Sequence, residues 1–202
     1  MIIGITGGIG TGKTRVLEIL EEEYGARIII ADEVSKFLQA PGGRCYQSII
    51  DEFGEEILDM SQPDHPIDRA KLASIVFADP DRLEDLNYIV HPVVKTEIMC
   101  EISGIYHEDI DALIVIEAAL LIEAGYTNFI DELWVVRADK DKRIERLVKY
   151  RGYTEEKAES IMASQMSEEE YAEEADFIID NSGTEEELRE KLAKRIKELR
   201  GE

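Results

Sequence analysis

The sequence predicts an α/β protein whose five-stranded parallel sheet carries helices on both faces, with a helical insertion part-way along the chain. Three observations predict it. Short apolar runs rich in β-branched residues alternate with stretches at helical spacing, the pattern of strands joined by right-handed helical crossovers. The first run, residues 2–6, stops abruptly in GGIGTGKT and is followed by an amphipathic stretch. Between residues 41 and 107 the strand signal disappears and helical periodicity takes over.

The opening strand leads into Gly7-x-x-x-x-Gly12-Lys13-Thr14, the Walker A spacing of a phosphate-binding loop. Glycines let the backbone turn its N–H groups inward around a phosphate. Lys13 would reach the β- and γ-phosphate oxygens, and the Thr14 hydroxyl would coordinate Mg²⁺. Val16, Leu17 and Leu20 then recur at helical spacing, so a helix over 15–23 presents its positive end to the phosphates. The competing reading is a glycine-rich turn that binds nothing. The complete motif, in its strand–loop–helix setting, argues for nucleotide binding.

Residues 26–31 form a second continuous apolar run, ending at Asp32. That aspartate is either the N-cap of a helix over 33–39 or a carboxylate at a strand's C-terminal end, where open α/β sheets place their ligands. There it could take the proton of an attacking hydroxyl, and both roles can hold together. In the insertion, helices are expected over 45–53 and 69–77, with a polar, twice-prolyl loop over 59–66 between them. A third begins at Asp79-Pro80 and carries Leu83, Leu86 and Ile89. His91-Pro92 is expected to end or kink it, leaving His91 either a helix-end residue or a substrate contact.

The most apolar strand, residues 112–119, carries Glu117 near its end. A buried acid is costly unless compensated, and a metal-side role like that of Walker B, direct or through water, would compensate it. Otherwise Glu117 lies beyond the strand end in solvent. A turn of helix is expected over 120–124 and a strand over 132–136, with Trp134 in the core. Lys142, Arg143, Arg146 and Lys149 recur on a helix over 140–150, which Arg151-Gly152 breaks before Thr154 caps another helix running to about 165. These two helices suit a lid that brings guanidinium groups over a phosphoryl group; a solvated helical face is the plainer alternative. The last strand, 175–180, ends in the turn Asn181-Ser182-Gly183, and a final helix covers 184–199.

The 202 residues carry a formal net charge of −22, which repels nucleic acid and anionic membrane surfaces. No stretch reaches the roughly 20 apolar residues of a membrane span, and the N-terminus lacks the features of a signal peptide, so a cytoplasmic location is expected. Cys45 and Cys100 form no metal-ligand pattern and no disulfide framework. A Walker A loop, a helical insertion after the second strand and a basic lid after the fourth describe a small-molecule kinase. They describe it better than a motor or a switch GTPase, and no guanine-reading Asn-Lys-x-Asp segment is present. Oligomeric state is not legible; nothing in the chain requires more than a monomer.

Five segments are more specific than composition: ITGGIGTGKT, IIADEVSKFL, DRAKLASIVFADPDRLEDLNYIVHPVV, ALLIEAGY and ADFIIDNSGT. In this order they resemble the dephospho-CoA kinase family along nearly the whole chain. The resemblance implies a P-loop NTPase-type three-layer α/β/α core over about 1–40 and 108–202, a lobe over about 41–107 that holds the CoA substrate, and a lid over about 140–165. It implies ATP-dependent phosphorylation of the ribose 3′-hydroxyl of dephospho-CoA, with Mg²⁺, giving coenzyme A and ADP. Asp32 matches the general base. Lys13 and the loop of Gly8, Ile9, Gly10, Thr11, Gly12 and Thr14 match the phosphate cradle. Arg69, Phe77, His91 and Pro92 match the substrate-holding lobe, Arg146 a basic lid position, and Asn181 the stretch near the ATP base.

Some positions depart from the family pattern. Ile30-Ala31-Asp32 stands for the usual Asp-Ala-Asp, with Lys36 where an arginine is usual, which keeps charge but loses a bidentate fork. Ala119-Leu120-Leu121 replaces Pro-Leu-Leu at a substrate-side position; Arg151 falls one residue late, with Tyr150 in its place, and Ser160 stands where another arginine is common. Two rivals differ in class: another nucleoside or nucleotide kinase, and a nucleotide-binding regulator that transfers nothing. The insertion and the ADFIIDNSG ending argue against the first, and Asp32 with Glu117 against the second.

Overall fold

Ile2–Thr6 forms β1 because its isoleucines favour extended backbone, and Ile3 and Ile5, on one face of the sheet, are fully buried. A computed structural model describes residues 1–118, 121–122 and 125–201. Ala119 and Leu120 lie outside the described residues, as does part of the expected 120–124 turn. The other strands are β2 (Arg27–Ile30), β3 (Ile114–Glu117), β4 (Glu132–Arg137) and β5 (Phe177–Asp180). They form one five-stranded sheet in the order β2-β3-β1-β4-β5. β1 lies parallel to β3 (Ile5 opposite Glu117) and to β4 (Thr6 opposite Val135), and β4 parallel to β5 (Arg137 opposite Asp180). Two carboxylates stitch strand beginnings together: Ile2 N–H donates to Asp131 (2.7 Å) and Leu133 N–H to Asp176 (2.8 Å).

The chain divides into two compact units, Met1–Ile29 with Asp109–Glu202, and Ile30–Glu108. In the first, α1 (Lys13–Tyr24) and α9 (Glu185–Arg200) pack Val16, Leu20, Leu188 and Leu192 against Ile3, Val115, Trp134 and Ile179 of the sheet. Trp134, fully buried as expected, donates its indole N–H to Glu132 (2.7 Å). The remaining helices of this unit are α6 (Lys140–Arg151), α7 (Glu155–Ala163) and α8 (Glu168–Glu174). Gly152 closes α6 in the left-handed conformation, and the Thr154 hydroxyl caps α7 by accepting from Lys157 N–H. α8 is an addition to the sequence reading, its start fixed by a Ser167–Glu170 capping box.

The second unit is helical: α2 (Ala31–Leu38), α3 (Tyr46–Phe53), α4 (Arg69–Val76) and α5 (Pro80–Glu108). Arg82 fastens α5 to α3, pairing with Glu52 (2.5 Å) and lying 4.3 Å over the Phe53 ring. The loop between α3 and α4 is closed by an antiparallel bridge from Leu58 to Ile67. Two expectations need correction here. α5 does not end at His91-Pro92 but runs 29 residues through Pro92. Val90, Val94, Ile98, Ile102 and Ile105 stay buried in one helical phase across the proline, and packing along that stripe offsets the roughly 3 kcal/mol a helix-interior proline costs. His91 is therefore a mid-helix residue, not a helix end. Asp32 is not the N-cap of α2 either. The helix starts directly from β2 with Ile30 as its cap, and Asp32 is its second residue.

Candidate functional site

The loop after β1 begins at Gly7, whose φ of +138° and whose approach to the Val136 carbonyl exclude a side chain. Gly12 has φ +93°, and a Cβ there would collide with the Asn181 amide. α1 starts from this Gly12 with no side-chain cap and no acid in its first turn, whereas α4, α7, α8 and α9 each have a side-chain cap. The positive end of α1 is thus left for an anion. Thr14 is exposed there.

Side chains from distant parts of the unit hold the loop's carbonyls from outside. Arg143 Nε donates to Ile9 O (2.9 Å); Arg146 donates to Thr11 O (3.0 Å), to Gly10 O (3.4 Å) and, through its second nitrogen, to Asn181 O (2.9 Å). The Asn181 amide donates to Thr11 O (2.8 Å). Within a trans peptide the C=O and the following N–H point in opposite directions. Pulling the carbonyls of Ile9, Gly10 and Thr11 outward therefore turns the N–H groups of Gly10, Thr11 and Gly12 the other way, as a phosphate cradle requires. Thr11 Oγ1 braces the loop internally on Gly8 O (2.9 Å).

Lys13 Nζ lies on Gly7 O (2.7 Å) and Gly8 O (3.4 Å), and 3.8 Å from a Glu117 carboxylate oxygen. Glu117 is the last residue of β3 with its side chain only 14% exposed. Among the described residues, no group of three or more His, Cys, Asp or Glu is placed to hold a metal by itself. Thr14 and Glu117 offer hard oxygen donors, the kind Mg²⁺ takes, and phosphate oxygens and water can complete its shell.

The basic face of α6 is split by the fold. Arg143 is buried at 8% exposure, and burial pushes its guanidinium below the ordinary value against the pull of Glu168 and Tyr171. Lys142 donates to the Ser182 carbonyl, and Lys149 lies over the Tyr150 ring in solvent. Tyr150 is 72% exposed. The sequence placed Arg143 on the basic lid face with Arg146, three residues away, but gave a site role to Arg146 alone. It missed Gln165 altogether: Ile9 N–H donates to Gln165 Oε1 (2.8 Å) across 156 positions. Asn181, 7% exposed, is occupied with the loop itself.

The second unit carries the other candidates. Asp32 and Lys36 are exposed four residues apart on α2 and share a helical face. Arg69 opens α4, which Asp68 caps by accepting from Ala70 N–H (2.9 Å). Phe77 closes α4 with 81% of its surface exposed. His91 is half-buried in α5, and burial pushes its imidazole below the ordinary value. Leu120 lies outside the described residues.

A dephospho-CoA kinase family model matches residues 1–187. A dephospho-CoA kinase from Carboxydothermus hydrogenoformans is 42% identical over 191 residues, 95% of this chain and 90% of that protein. One from Geobacter sulfurreducens is 39% identical, covering 95% of this chain and 94% of its own. Among solved structures, dephospho-CoA kinase from Campylobacter jejuni superposes with a TM-score of 0.71 at 25% identity, covering 98% of this chain and 96% of its own. With that match spanning both the phosphate loop and the helical unit, the chain belongs to the dephospho-CoA kinase family.

Proposed function

We propose that the chain transfers the γ-phosphoryl group of ATP to the ribose 3′-hydroxyl of dephospho-CoA, giving coenzyme A and ADP, the last step of coenzyme A synthesis. The observation that carries this reading is the family match over residues 1–187, in a chain whose glycine loop is held with its amides turned inward. In the reaction a bond forms between the 3′-oxygen and the γ-phosphorus, and the bond to the bridging oxygen of ADP breaks. The loop amides and Lys13 hold the phosphates through this change, and positioning with charge neutralisation supplies most of the rate. Lys13 reaches them by leaving the Gly7 and Gly8 carbonyls.

Thr14 and Glu117 are the residues that would hold Mg²⁺, which supplies neutralisation of charge on the phosphates. Asp32 takes the proton of the 3′-hydroxyl as that oxygen attacks and releases it to solvent afterwards. Arg146 lends its charge to the phosphate side while keeping the loop in shape. Asn181 stands beside the ATP base. Lys36, Arg69, Phe77, His91 and Leu120 form the acceptor-holding side, with residues 41–107 as the substrate lobe and residues 140–165 as the lid. The protein works as a soluble enzyme of the cytoplasm; among the described residues no helix is long and apolar enough to cross a membrane.

The test is ADP release with ATP and Mg²⁺, comparing dephospho-CoA with adenosine, AMP and uridine at equal concentration, and identifying the product by mass. Turnover confined to dephospho-CoA, with a product one phosphoryl group heavier, supports the reading. Preferential phosphorylation of another acceptor overturns the substrate assignment.

A further inference from the structure

Gln165 sits in the short connection between α7 and α8, and its place is fixed from both sides. Its own N–H bonds to Met162 O (3.3 Å) and Ser164 N–H to Ile161 O (3.2 Å), closing the last turn of α7. Two residues later the Ser167 capping box starts α8. From this anchored position Gln165 Oε1 accepts the Ile9 N–H at 2.8 Å. Only the oxygen of an amide can accept from a donor, so the orientation of the Gln165 side chain is set by the contact. The Ile9 carbonyl is held from α6, accepting from Arg143 Nε at 2.9 Å. Both polar groups of Ile9 are therefore fixed by the segment running from α6 to α8, at the point where the loop enters its turn. The packing is close: a Cβ on Gly8 would collide with the Arg143 guanidinium and stand 3.2 Å from Gln165 Oε1.

We propose that Gln165 is a positioning residue of the phosphate loop: by accepting the Ile9 N–H while Arg143 engages the Ile9 carbonyl, it couples the α7–α8 connection to the loop and sets the loop's shape before ATP arrives. This rests on the kinase reading given above. Gln165 acts through the loop backbone and not on the transferred group, so its loss weakens ATP capture more than it slows transfer. A ligand that must first order its own loop binds more weakly by the fraction of time the loop is competent, and one lost hydrogen bond places that near tenfold.

The experiment uses the full chain with Gln165→Ala and Gln165→Glu; the second keeps an acceptor oxygen at the same reach. Amide exchange of the ligand-free proteins is read at Ile9 by NMR, and steady-state kinetics are read for both substrates. The expected result is exchange at Ile9 about tenfold faster in Gln165→Ala but near wild type in Gln165→Glu. Alongside it, Gln165→Ala shows a KM for ATP raised roughly tenfold, with the KM for dephospho-CoA unchanged. Unaltered Ile9 exchange in Gln165→Ala overturns the proposal. So does an equal rise in both KM values accompanied by faster exchange throughout the domain, which is what general destabilisation gives. If the wild-type protein phosphorylates no dephospho-CoA, the kinase reading fails, and the exchange comparison still decides the role of Gln165.

Discussion

The phosphate loop and the helical unit treat their candidate residues in opposite ways. Around the loop, Arg143, Arg146, Asn181 and Gln165 reach in from α6, the α7–α8 connection and the end of β5, and each holds a named backbone atom within 3.0 Å. The loop's backbone is thus held by the chain's own side chains. In the helical unit most candidates stand toward solvent: Asp32, Lys36, Arg69 and Phe77 are exposed, and only His91 among them is half-buried. The contrast follows from chemistry. A phosphate cradle is made of backbone dipoles, which act only when already oriented. A surface that receives a larger substrate can be ordered by the substrate itself.

The loop side should break hardest. Replacing Lys13 by Ala removes the cation proposed to reach the phosphates, and kcat should fall by about 10³-fold or more; near-normal single-turnover rates would show that the loop is not the catalytic cradle. Asp32→Asn comes next. Loss of a general base costs about 10²–10⁴-fold in turnover, while ATP affinity, read by equilibrium binding, should change little. A variant with wild-type turnover would remove Asp32 from the chemistry.

Arg146→Lys keeps the charge but cannot span Thr11 O and Asn181 O as the planar fork does. ATP affinity should weaken roughly tenfold, in line with a lost charge-assisted hydrogen bond, with acceptor affinity unchanged in the same titrations. Phe77→Ala should do the reverse. At 81% exposure Phe77 contributes little to the fold, so unfolding free energy should stay within about 0.5 kcal/mol, while KM for dephospho-CoA rises several-fold and KM for ATP does not move. Equal effects on both substrates would erase the distinction between a preformed side and a side ordered by its substrate.

The helix running through Pro92 shows where local reading fails. Proline's missing donor and its clash are local facts, and they argue for a break. The buried stripe from Val90 to Ile105 is a tertiary fact, and it prevails. The start of α2 is a second case. An aspartate after an apolar run reads as an N-cap, yet the chain passes from β2 into helix at Ala31 with no separate capping residue, so Asp32 enters the first turn instead.

Residue type and spacing were enough for the phosphate loop, the order of the strands and most helices along the chain, the helical character of the insertion and the family. These depend on residue type at short spacing: glycines at positive φ, apolar periodicity, capping residues. Tertiary packing settled the strand order β2-β3-β1-β4-β5 and the division of the basic α6 face, which sends Arg143 and Arg146 to the loop, Lys142 to Ser182 and Lys149 into solvent. It alone paired Gln165 with Ile9 and Asn181 with Thr11. Those contacts join residues more than 130 positions apart, and no spacing rule carries such a distance. A lone glutamine or asparagine acquires its partner only when the sheet brings the loop and the later helices to one end.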